Sequence, residues 1–381
     1  MVNAGILGGS GYGGSELLRI LLFHPDVTLE LVTANEHAGK RIDAVHPNLA
    51  KLTDLRFAPM PDPRELGGLD CVFLALPHGQ AMEVVPSLPP SVKVIDLSGD
   101  FRLSDAVAFK KYYGKDHTAM EAQSEFVYGL TEVNRIRIRE ARRVANPGCF
   151  ATALELALYP FVAADLTRGK IIADMKTGSS GSGAKAAANT HHPKRANSFY
   201  AYRMMQHQHQ PEVEELLNSV SPHWSHESSL VFQVHSIPVV RGIFGSIYLT
   251  PREPMSAQQV GDLMLSAYGR EPFIRLVDGS PDINWVKNSN FVDIGWAVDE
   301  RGFEEEKAAA RYRAFTFADA PPVSGPGPLA APVNGRDNST IIMFVALDNL
   351  VKGAVGQAVQ NMNLMFGIDE KRGLMIPGSN P

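Results

Sequence analysis

The sequence predicts an α/β protein in which a Rossmann-type, doubly wound domain precedes an α+β domain with a mixed sheet. Residues 4–32 contain a strand, a glycine-rich turn, a helix and a second strand, which together have the size of one βαβ unit. Continuous apolar runs at 69–76 and 92–97 favour parallel strands covered on both faces. Runs with better alternation, at 229–237 and 243–250, favour a mixed or antiparallel sheet with one covered face.

The first elements follow in order from the start of the chain. The apolar run 4–7 predicts a strand that ends in the glycine-rich segment 8–14. Residues 15–23 have helical spacing, and Pro25 stops that helix before the second strand. The character of the chain changes at 146–149, where polar and helix-breaking residues precede a new apolar helix at 151–161.

The later elements are less regular. A helix is predicted over 256–268 with Ser256 as its N-cap. A charged, alanine-rich stretch at 304–313 and a stretch with five prolines at 321–332 predict an exposed insertion. A strand at 340–347 then resumes the pattern, and a last helix is expected over 348–366.

Composition excludes several classes of protein. The chain has 381 residues and a net charge of -5, from 36 Lys+Arg and 41 Asp+Glu, which argues against a nucleic-acid-binding protein. No apolar run reaches about 18 residues, so we expect no membrane span. With two cysteines and no basic segment before the first apolar run, we expect a cytoplasmic protein.

The glycine turn is a candidate cofactor site. It fits both G-x-G-x-x-G and G-x-x-G-x-x-G, and its candidate binding residues are Gly8, Gly9, Ser10, Gly11, Tyr12 and Gly14. Such turns direct backbone N–H groups at a pyrophosphate beside a helix N-terminus. The strand before the turn and the helix after it supply the context that the motif needs. The alternative is a tight turn without a ligand.

The end of the second strand bears on the choice between NAD and NADP. NAD enzymes usually carry an acid here for the ribose 2′-hydroxyl, but the expected positions hold alanine and asparagine, and Glu36 lies one step beyond. Thr33 and Asn35 could bond a 2′-phosphate, with Lys40 or Arg41 adding charge. We therefore favour NADP, although Lys40 and Arg41 could equally belong to an exposed loop.

Cys149 is the candidate nucleophile. It stands directly before a predicted helix, where unpaired N–H groups and the helix dipole stabilise a thiolate, and an activated thiolate is a strong nucleophile. The alternative is a buried structural cysteine, which is our interpretation of Cys71 in its apolar strand.

The histidines invite a metal interpretation that the sequence does not favour. His191 and His192 are adjacent, and His207 and His209 are close, but the segment 176–211 contains no acidic residue. Zinc needs three or four convergent ligands, so we predict no metal site. The same basic segment could attract an anionic substrate or an acidic partner, or could simply be a solvated face.

Six motifs together resemble one family. They are Gly8-Gly9-Ser10-Gly11-Tyr12-Gly13-Gly14, Asp96-Leu97-Ser98-Gly99-Asp100-Phe101-Arg102, Val127-Tyr128-Gly129-Leu130, Asn146-Pro147-Gly148-Cys149, His207-Gln208-His209-Gln210-Pro211-Glu212 and Asp348-Asn349-Leu350-Val351-Lys352-Gly353. In this order they resemble the N-acetyl-γ-glutamyl-phosphate reductases of arginine biosynthesis, which belong with the aspartate-semialdehyde-dehydrogenase-like enzymes. A sister family, which reduces carrier-protein-bound aminoadipyl phosphate in lysine biosynthesis, shares nearly all of these motifs. The segment 301–338 matches nothing in the family.

The resemblance implies a covalent mechanism. Cys149 would form a thioester from an acyl phosphate and release inorganic phosphate, and NADPH would reduce the thioester to the aldehyde. His209 would carry the proton, with His207 as the second candidate, because a group that titrates near neutrality suits this task. Gln208 stands where the family more often has arginine, so the sequence assigns no role to that position.

The resemblance also implies binding residues. Arg102, with Ser98 close by, would hold the phosphate or carboxylate of the substrate, because guanidinium binds such groups bidentately. Ser180 and Gly181, in the Gly/Ser-rich loop 178–183, and Asn349 at the start of the last helix would lie near the nicotinamide.

The resemblance further implies the domain organisation and the partners. Residues 1–148, completed by 349–381, would form the NADP-binding domain, and 149–348 the catalytic and oligomerisation domain, with the proline-rich insertion at about 301–338. A homodimer or homotetramer is expected. An acidic carrier protein is a partner only in the alternative function. A nucleotide-binding sensor without catalysis and an ordinary NADP dehydrogenase remain alternatives, but neither explains Cys149 together with His207 and His209.

Overall fold

The computed structural model describes residues 1–188, 190–299 and 340–379. The strands are β1 Val2–Leu7, β2 Val27–Thr33, β3 Cys71–Leu74, β4 Lys93–Asp96, β5 Phe126–Tyr128, β6 Arg143–Ala145, β7 Thr167–Thr177, β8 Tyr200–Tyr202, β9 Ser228–Ser236, β10 Ile243–Pro251, β11 Ile274–Leu276, β12 Val292–Val298 and β13 Ile341–Leu347. The α-helices are α1 Tyr12–Leu21, α2 Ala81–Val84, α3 Ala106–Tyr113, α4 Met120–Gln123, α5 Thr131–Glu140, α6 Cys149–Ala163, α7 His192–Arg195, α8 His209–Val220, α9 Trp224–Glu227, α10 Ala257–Tyr268, α11 Ile283–Val286 and α12 Gly356–Met365.

The first sheet is parallel, with the strand order β2-β1-β3-β4-β6-β5. Its central strand β3 is apolar along its whole length and every residue of it is buried, as expected for a strand covered on both faces. β1 pairs with β2 on one side and with β3 on the other. The chain therefore leaves β1 and β3 in opposite directions, which opens a crevice at the carboxyl end of β1 where ligands bind in such sheets.

The second sheet is mixed, with the strand order β11-β12-β13-β10-β7-β9-β8. β10 is antiparallel to both β7 and β13, whereas β7 and β9 run parallel. Side chains alternate between the two faces of β7, β9 and β10, and those on one face pack against α6 and α8 in a single hydrophobic core. The opposite face carries partly exposed apolar residues, of which Ile172 is 46% exposed and Tyr248 is 38% exposed.

The last segment returns to the first sheet. It begins with a π-helical turn, Val351–Val355, and continues as α12, whose apolar side chains pack with those of β1 and α1. We predicted one helix over 348–366, and the difference has a local cause. The Asp348 side chain accepts the N–H groups of Leu350 and Val351, while its carbonyl oxygen accepts the N–H of Gly353, which widens the first turn.

The predicted fold class is confirmed, with shifted boundaries. α1 begins three residues earlier than expected, and α6 begins at Cys149 itself. The predicted cap of α10 is confirmed, because Ser256 and Gln259 form a capping box. The expected insertion at 301–338 lies outside the described residues, and the domain boundaries at 148 and 349 stay predictions. Within the described ranges, no helix is long and apolar enough to cross a membrane.

Candidate active site

The glycine turn after β1 has the shape that a bound pyrophosphate needs. Gly8 has a φ of +94°, and a Cβ there would lie 2.4 Å from the carbonyl oxygen of Ala75, so only glycine fits. A Cβ on Gly14 would meet the backbone of Gly9 at 2.4 Å, which keeps α1 close to the turn. By contrast, a Cβ on Gly11, the N-cap of α1, would meet nothing within 4 Å, and no side chain caps this helix end. The N-terminus of α1 therefore borders open space, and its free N–H groups could bind an anion there.

The remaining predicted residues of the turn fit this arrangement. Ser10 is half-buried, and Tyr12, the first residue of α1, is 45% exposed. The sequence did not reveal a role for His46. Its Nε2 lies 2.8 Å from the carbonyl oxygen of Gly9, and this contact holds the turn in place.

Two residues predicted to bind the 2′-phosphate have other tasks. Thr33 is buried, and its hydroxyl accepts the N–H of Gly8, so it shapes the turn and does not face a ligand. The Arg41 guanidinium forms ion pairs with Asp43 and Asp54.

Asn35 is exposed at the end of β2, and its side-chain Oδ1 accepts a hydrogen bond from the Met60 N–H. Its amide group stays available at the position where the ribose is expected.

Cys149 is the first residue of α6, at the N-terminal end of a helix that is otherwise buried in the second core. Its side chain is half-buried. A Cβ on Gly353 would lie 2.7 Å from the Cβ of Cys149, so glycine lets the π-helical turn touch the cysteine directly. Cys71, in contrast, is fully buried in β3, as predicted.

The pKa of Cys149 is not low, contrary to our expectation. Burial raises the pKa of the Cys149 thiol to about 11, although Arg102 and the N–H groups of Cys149 and Phe150 act in the opposite direction. Desolvation of the thiolate outweighs the helix N-terminus here. The sequence placed Cys149 at a helix start, where the structure also has it, but could not weigh the burial, and the resting thiol is neutral.

His209 and His207 are both brought to Cys149. His209 begins α8, and a Cβ on Gly148 would lie 2.3 Å from its Nε2, so the ring packs directly against the residue before the cysteine. The ring of His207 lies 4.7 Å from that of His209, and its Nδ1 accepts the His209 N–H. His207 also contacts Phe150 and Phe232, and these contacts hold its ring in place beside His209.

Neither histidine titrates near neutrality, contrary to our expectation. Burial lowers the pKa of His207 to about 3, and Arg203 adds to this effect. Burial lowers the pKa of His209 well below its usual value, and His207 and Arg102 add to it. Both rings are therefore neutral at pH 7, and a neutral imidazole nitrogen is able to accept a proton.

Arg102 is buried beside the residues that precede Cys149. Its Nε donates to the carbonyl oxygen of Asn146, one Nη donates to that of Leu97, and the other lies 3.6 Å from Glu212. The guanidinium thus fixes the segment before Cys149 and contributes positive charge. These contacts use two of its five N–H donors, so a role of Arg102 in holding a substrate phosphate stays a prediction.

The sequence reasoning missed Glu212 and Tyr128. Glu212 is buried, accepts the N–H of Gly148 at 2.7 Å and accepts the Tyr128 hydroxyl at 2.7 Å. Its position three residues after His209 places both on one face of α8, which is the signal that could have revealed it.

Ser98 and Asn349 shape loops around the site. The buried Ser98 hydroxyl donates to Asp96 and accepts the Asp100 N–H, so the predicted substrate contact is not supported. Asn349 accepts the N–H of Gly242 at 2.8 Å and donates to the Ser180 hydroxyl at 2.9 Å, so it positions the Ser180 loop, and its own contact with the cofactor stays a prediction. Gly181, on that loop, is exposed.

Within the parts of the chain that the structure describes, no group of three His, Cys, Asp or Glu side chains could hold a metal ion.

Comparisons with known proteins identify the family of the chain. The model of the semialdehyde dehydrogenase NAD-binding domain matches residues 3–141, and the model of the semialdehyde dehydrogenase dimerisation domain matches residues 149–304. A putative [LysW]-L-2-aminoadipate/[LysW]-L-glutamate phosphate reductase from Pyrococcus horikoshii is 40% identical over 98% of both chains. An N-acetyl-gamma-glutamyl-phosphate reductase from Acidithiobacillus ferrooxidans is also 40% identical over 98% of both chains.

Solved structures share the fold at lower identity. Aspartate semialdehyde dehydrogenase II from Vibrio cholerae is 18% identical with a TM-score of 0.64, and the alignment covers 96% of this chain and 99% of that one. Aspartate semialdehyde dehydrogenase with NADP from Candida albicans is 14% identical with the same TM-score, 0.64, and the alignment likewise covers 96% of this chain and 99% of that one. The two matching models and the full-length relatives show that this chain belongs to the semialdehyde dehydrogenase family.

Proposed function

We propose that the protein is an NADPH-dependent acyl-phosphate reductase that converts N-acetyl-γ-glutamyl phosphate to N-acetylglutamate 5-semialdehyde through a thioester on Cys149. The placement of Cys149 at the start of α6, with His209 packed against the preceding Gly148, carries this proposal. Covalent catalysis needs at least a nucleophile and a proton acceptor close to it, and a thiol and a histidine stand here at two helix N-termini. The relative from Acidithiobacillus ferrooxidans bears the name of this activity.

The charges around the cysteine suit an anionic substrate. Arg102 lies beneath the site, and Arg203 lies close enough to lower the pKa of His207. An acyl phosphate adds negative charge to this pocket, and a nearby negative charge raises the pKa of a histidine. Substrate binding would therefore favour transfer of the thiol proton from Cys149 to His209.

The chain's own groups then divide the work. The Cys149 sulfur attacks the acyl carbon, the thioester forms and inorganic phosphate leaves. NADPH, when bound, supplies the hydride that reduces the thioester. His209 passes the proton taken from the thiol to the departing phosphate and, after taking up a proton from solvent, gives it to the oxygen that develops on the acyl carbon. When the hemithioacetal collapses, His209 removes that proton, the carbon–sulfur bond breaks, the free aldehyde leaves, and the proton returns to the sulfur of Cys149.

The residues of the first domain fit a dinucleotide phosphate cofactor. The uncapped N-terminus of α1 and the open space at Gly11 would take the pyrophosphate. Asn35 and the exposed Lys40, rather than Thr33 or Arg41, would contact the 2′-phosphate. The Ser180 loop, held by Asn349, would border the nicotinamide.

The test is phosphate-dependent reduction of NADP+ with N-acetylglutamate semialdehyde. Turnover should require phosphate and should fall by several orders of magnitude in Cys149→Ser, while NADPH binding stays normal. Cys71→Ser is the matched control, because Cys71 is fully buried in the first sheet. A Cys149→Ser enzyme that retains more than a tenth of the rate would exclude the thioester mechanism.

The alternative substrate is an aminoadipyl or glutamyl phosphate bound to a carrier protein. One observation favours it: Lys185, His191, His192, Lys194 and Arg203 are exposed on a segment without an acidic residue. Arg195 of the same segment is buried and donates to Ile237 and Ser198, so it would not contact a carrier. An enzyme that turns over only a carrier-linked semialdehyde, with a rate that falls steeply with added salt, would establish this alternative.

The assembly and the location complete the proposal. The partly exposed apolar face of the second sheet lies in the part matched by the dimerisation-domain model, and we propose that it pairs two copies in a homodimer or homotetramer. Sedimentation measurements distinguish these states from a monomer. We propose a cytoplasmic location, which the use of NADPH and a free nucleophilic cysteine supports.

A further inference from the structure

The helix that carries Cys149 also carries a glutamate in its buried interior. Glu155 lies six residues after the cysteine, and its side chain is fully buried within the hydrophobic core of the second sheet. Its Oε1 lies 2.8 Å from the Tyr128 hydroxyl, and its Oε2 has no hydrogen-bond partner among the described residues. A carboxylate in such surroundings is strongly disfavoured, so this group needs a reason.

The Tyr128 hydroxyl is shared between two carboxyl groups. Its oxygen lies 2.8 Å from Glu155 Oε1 and 2.7 Å from Glu212 Oε1. A hydroxyl carries one hydrogen, whereas an ionised carboxylate can only accept. Both short contacts are hydrogen bonds only if one of the two glutamates is protonated.

The surroundings assign that proton to Glu155. Glu212 accepts the N–H of Gly148 and lies 3.6 Å from Arg102, and both contacts favour its ionised form. Burial raises the pKa of Glu212 as well, but the Arg102 charge and the Gly148 N–H oppose it. Among the described residues, the Glu155 side chain accepts no backbone N–H, and the Arg102 charge is the smallest of the influences on its pKa. Burial raises the pKa of Glu155 well above its usual range, and repulsion from Glu212 adds to it. Tyr268, a further titratable group near Glu155, donates its hydroxyl to the Leu156 carbonyl oxygen instead.

We propose that Glu155 is a neutral acid and a positioning residue, which donates to the Tyr128 oxygen and thereby directs the Tyr128 proton at Glu212. The Glu212 carboxylate is then held against the Gly148 N–H, next to the cysteine and to His209. A donated hydrogen bond also strengthens the next bond in such a chain. This inference rests on the proposed function only for its effect on turnover, because the protonation of Glu155 is a property of the resting protein.

Infrared difference spectroscopy tests the protonation without any substrate. The wild type minus Glu155→Gln spectrum at neutral pH should contain the carbonyl stretch of a protonated carboxylic acid. Glu214→Gln is the matched control, because Glu214 lies on α8 near Glu212 but bonds to Gln210 and not to Tyr128. The wild type minus Glu214→Gln spectrum should lack this band, because the Glu214→Gln protein still has the protonated Glu155. A spectrum in which Glu155→Gln removes only carboxylate bands would overturn the proposal.

Substitutions test the positioning role. Glu155→Gln keeps one donor and no charge, so kcat and the alkylation rate of Cys149 should stay within about two-fold of wild type. Glu155→Leu removes the donor, so kcat should fall by about ten-fold and the alkylation rate should change, with an unchanged affinity for NADPH. A Glu155→Gln protein as impaired as Glu155→Leu would show that the carboxylate is needed, and a Glu155→Leu protein with normal rates would remove the positioning role.

The readouts separate this inference from the proposed function. If N-acetylglutamate semialdehyde is not a substrate, turnover is absent in all variants, but the infrared band and the alkylation rates still decide the state of Glu155. Should Glu155→Leu fail to fold, the spectrum and rates of Glu155→Gln remain sufficient, because that variant preserves the size and the donor of the side chain.

Discussion

Gly148→Ala should disable the enzyme by moving one histidine. A Cβ at this position would lie 2.3 Å from Nε2 of His209 and 2.6 Å from two ring carbons, whereas ordinary contacts begin at 3.4 Å. The ring must therefore retreat by about 1 Å, and a displacement of this size in a catalytic group costs about 10²-fold in rate. The backbone of Gly148, with φ -72° and ψ 150°, suits alanine, and the N–H that donates to Glu212 is kept.

The assay compares kcat, the melting temperature and Cys149 alkylation in Gly148→Ala and in Gly68→Ala. Gly68 is the control because a Cβ there would meet nothing within 4 Å. We expect the loss of kcat only in Gly148→Ala. If the methyl group acts through the ring, it should have less than about a two-fold further effect in a His209→Ala background, since effects through a shared residue are not additive. A Gly148→Ala enzyme with more than half of the wild-type kcat would refute the reasoning.

Four further predictions address the proton, the core, the cofactor and the insertion. His209→Asn should lower kcat strongly and remove one limb of its pH profile, because kcat profiles report ionisations in the bound complex; an unchanged profile would assign the proton to the second histidine. Lys352→Met should lower the free energy of unfolding by about 3–5 kcal/mol, because it leaves Glu132 buried without its partner 2.6 Å away; chemical denaturation should find most of this restored when Glu132 is also made apolar. The ratio of kcat/KM for NADPH and NADH should favour NADPH, and a preference for NADH would assign the ribose contact to Glu36. Shortening the proline-rich stretch 320–332 should leave kcat within about a few-fold, since loops tolerate changes in length, and loss of activity would place it against the site.

The sequence predicted what depends on local pattern. The glycine turn, the helix predicted over 151–161 and the capped helix after Ser256 each follow from residue types at fixed spacing, and each is found, the second with its start shifted to Cys149. The π-helical turn after Asp348 was missed because it depends on which backbone groups that one side chain accepts, and no periodicity reports this.

Roles of individual polar side chains were harder to predict than positions. Thr33, Ser98 and Asn349 all lie near the predicted site, yet their hydrogen bonds go to neighbouring loops. Arg102 likewise donates to two carbonyl oxygens and forms an ion pair with Glu212. A motif shows that a residue type belongs at a site, but only the three-dimensional partners show whether its donors remain free for a ligand.

The pKa values of Cys149 and His209 also depend on three-dimensional surroundings that the sequence does not show. A helix N-terminus lowers a thiol pKa, and an isolated histidine titrates near neutrality, so the sequence predicts a reactive thiolate and a titrating base. Burial reverses both, because it disfavours the charged form of each group, so the resting site holds a neutral thiol beside a neutral imidazole. The two reversals fit one another: a proton can pass from sulfur to nitrogen only if the sulfur still has it and the nitrogen does not. In the proposed function, an anionic substrate would stabilise the imidazolium that results, which would tie formation of the nucleophile to arrival of the acyl phosphate.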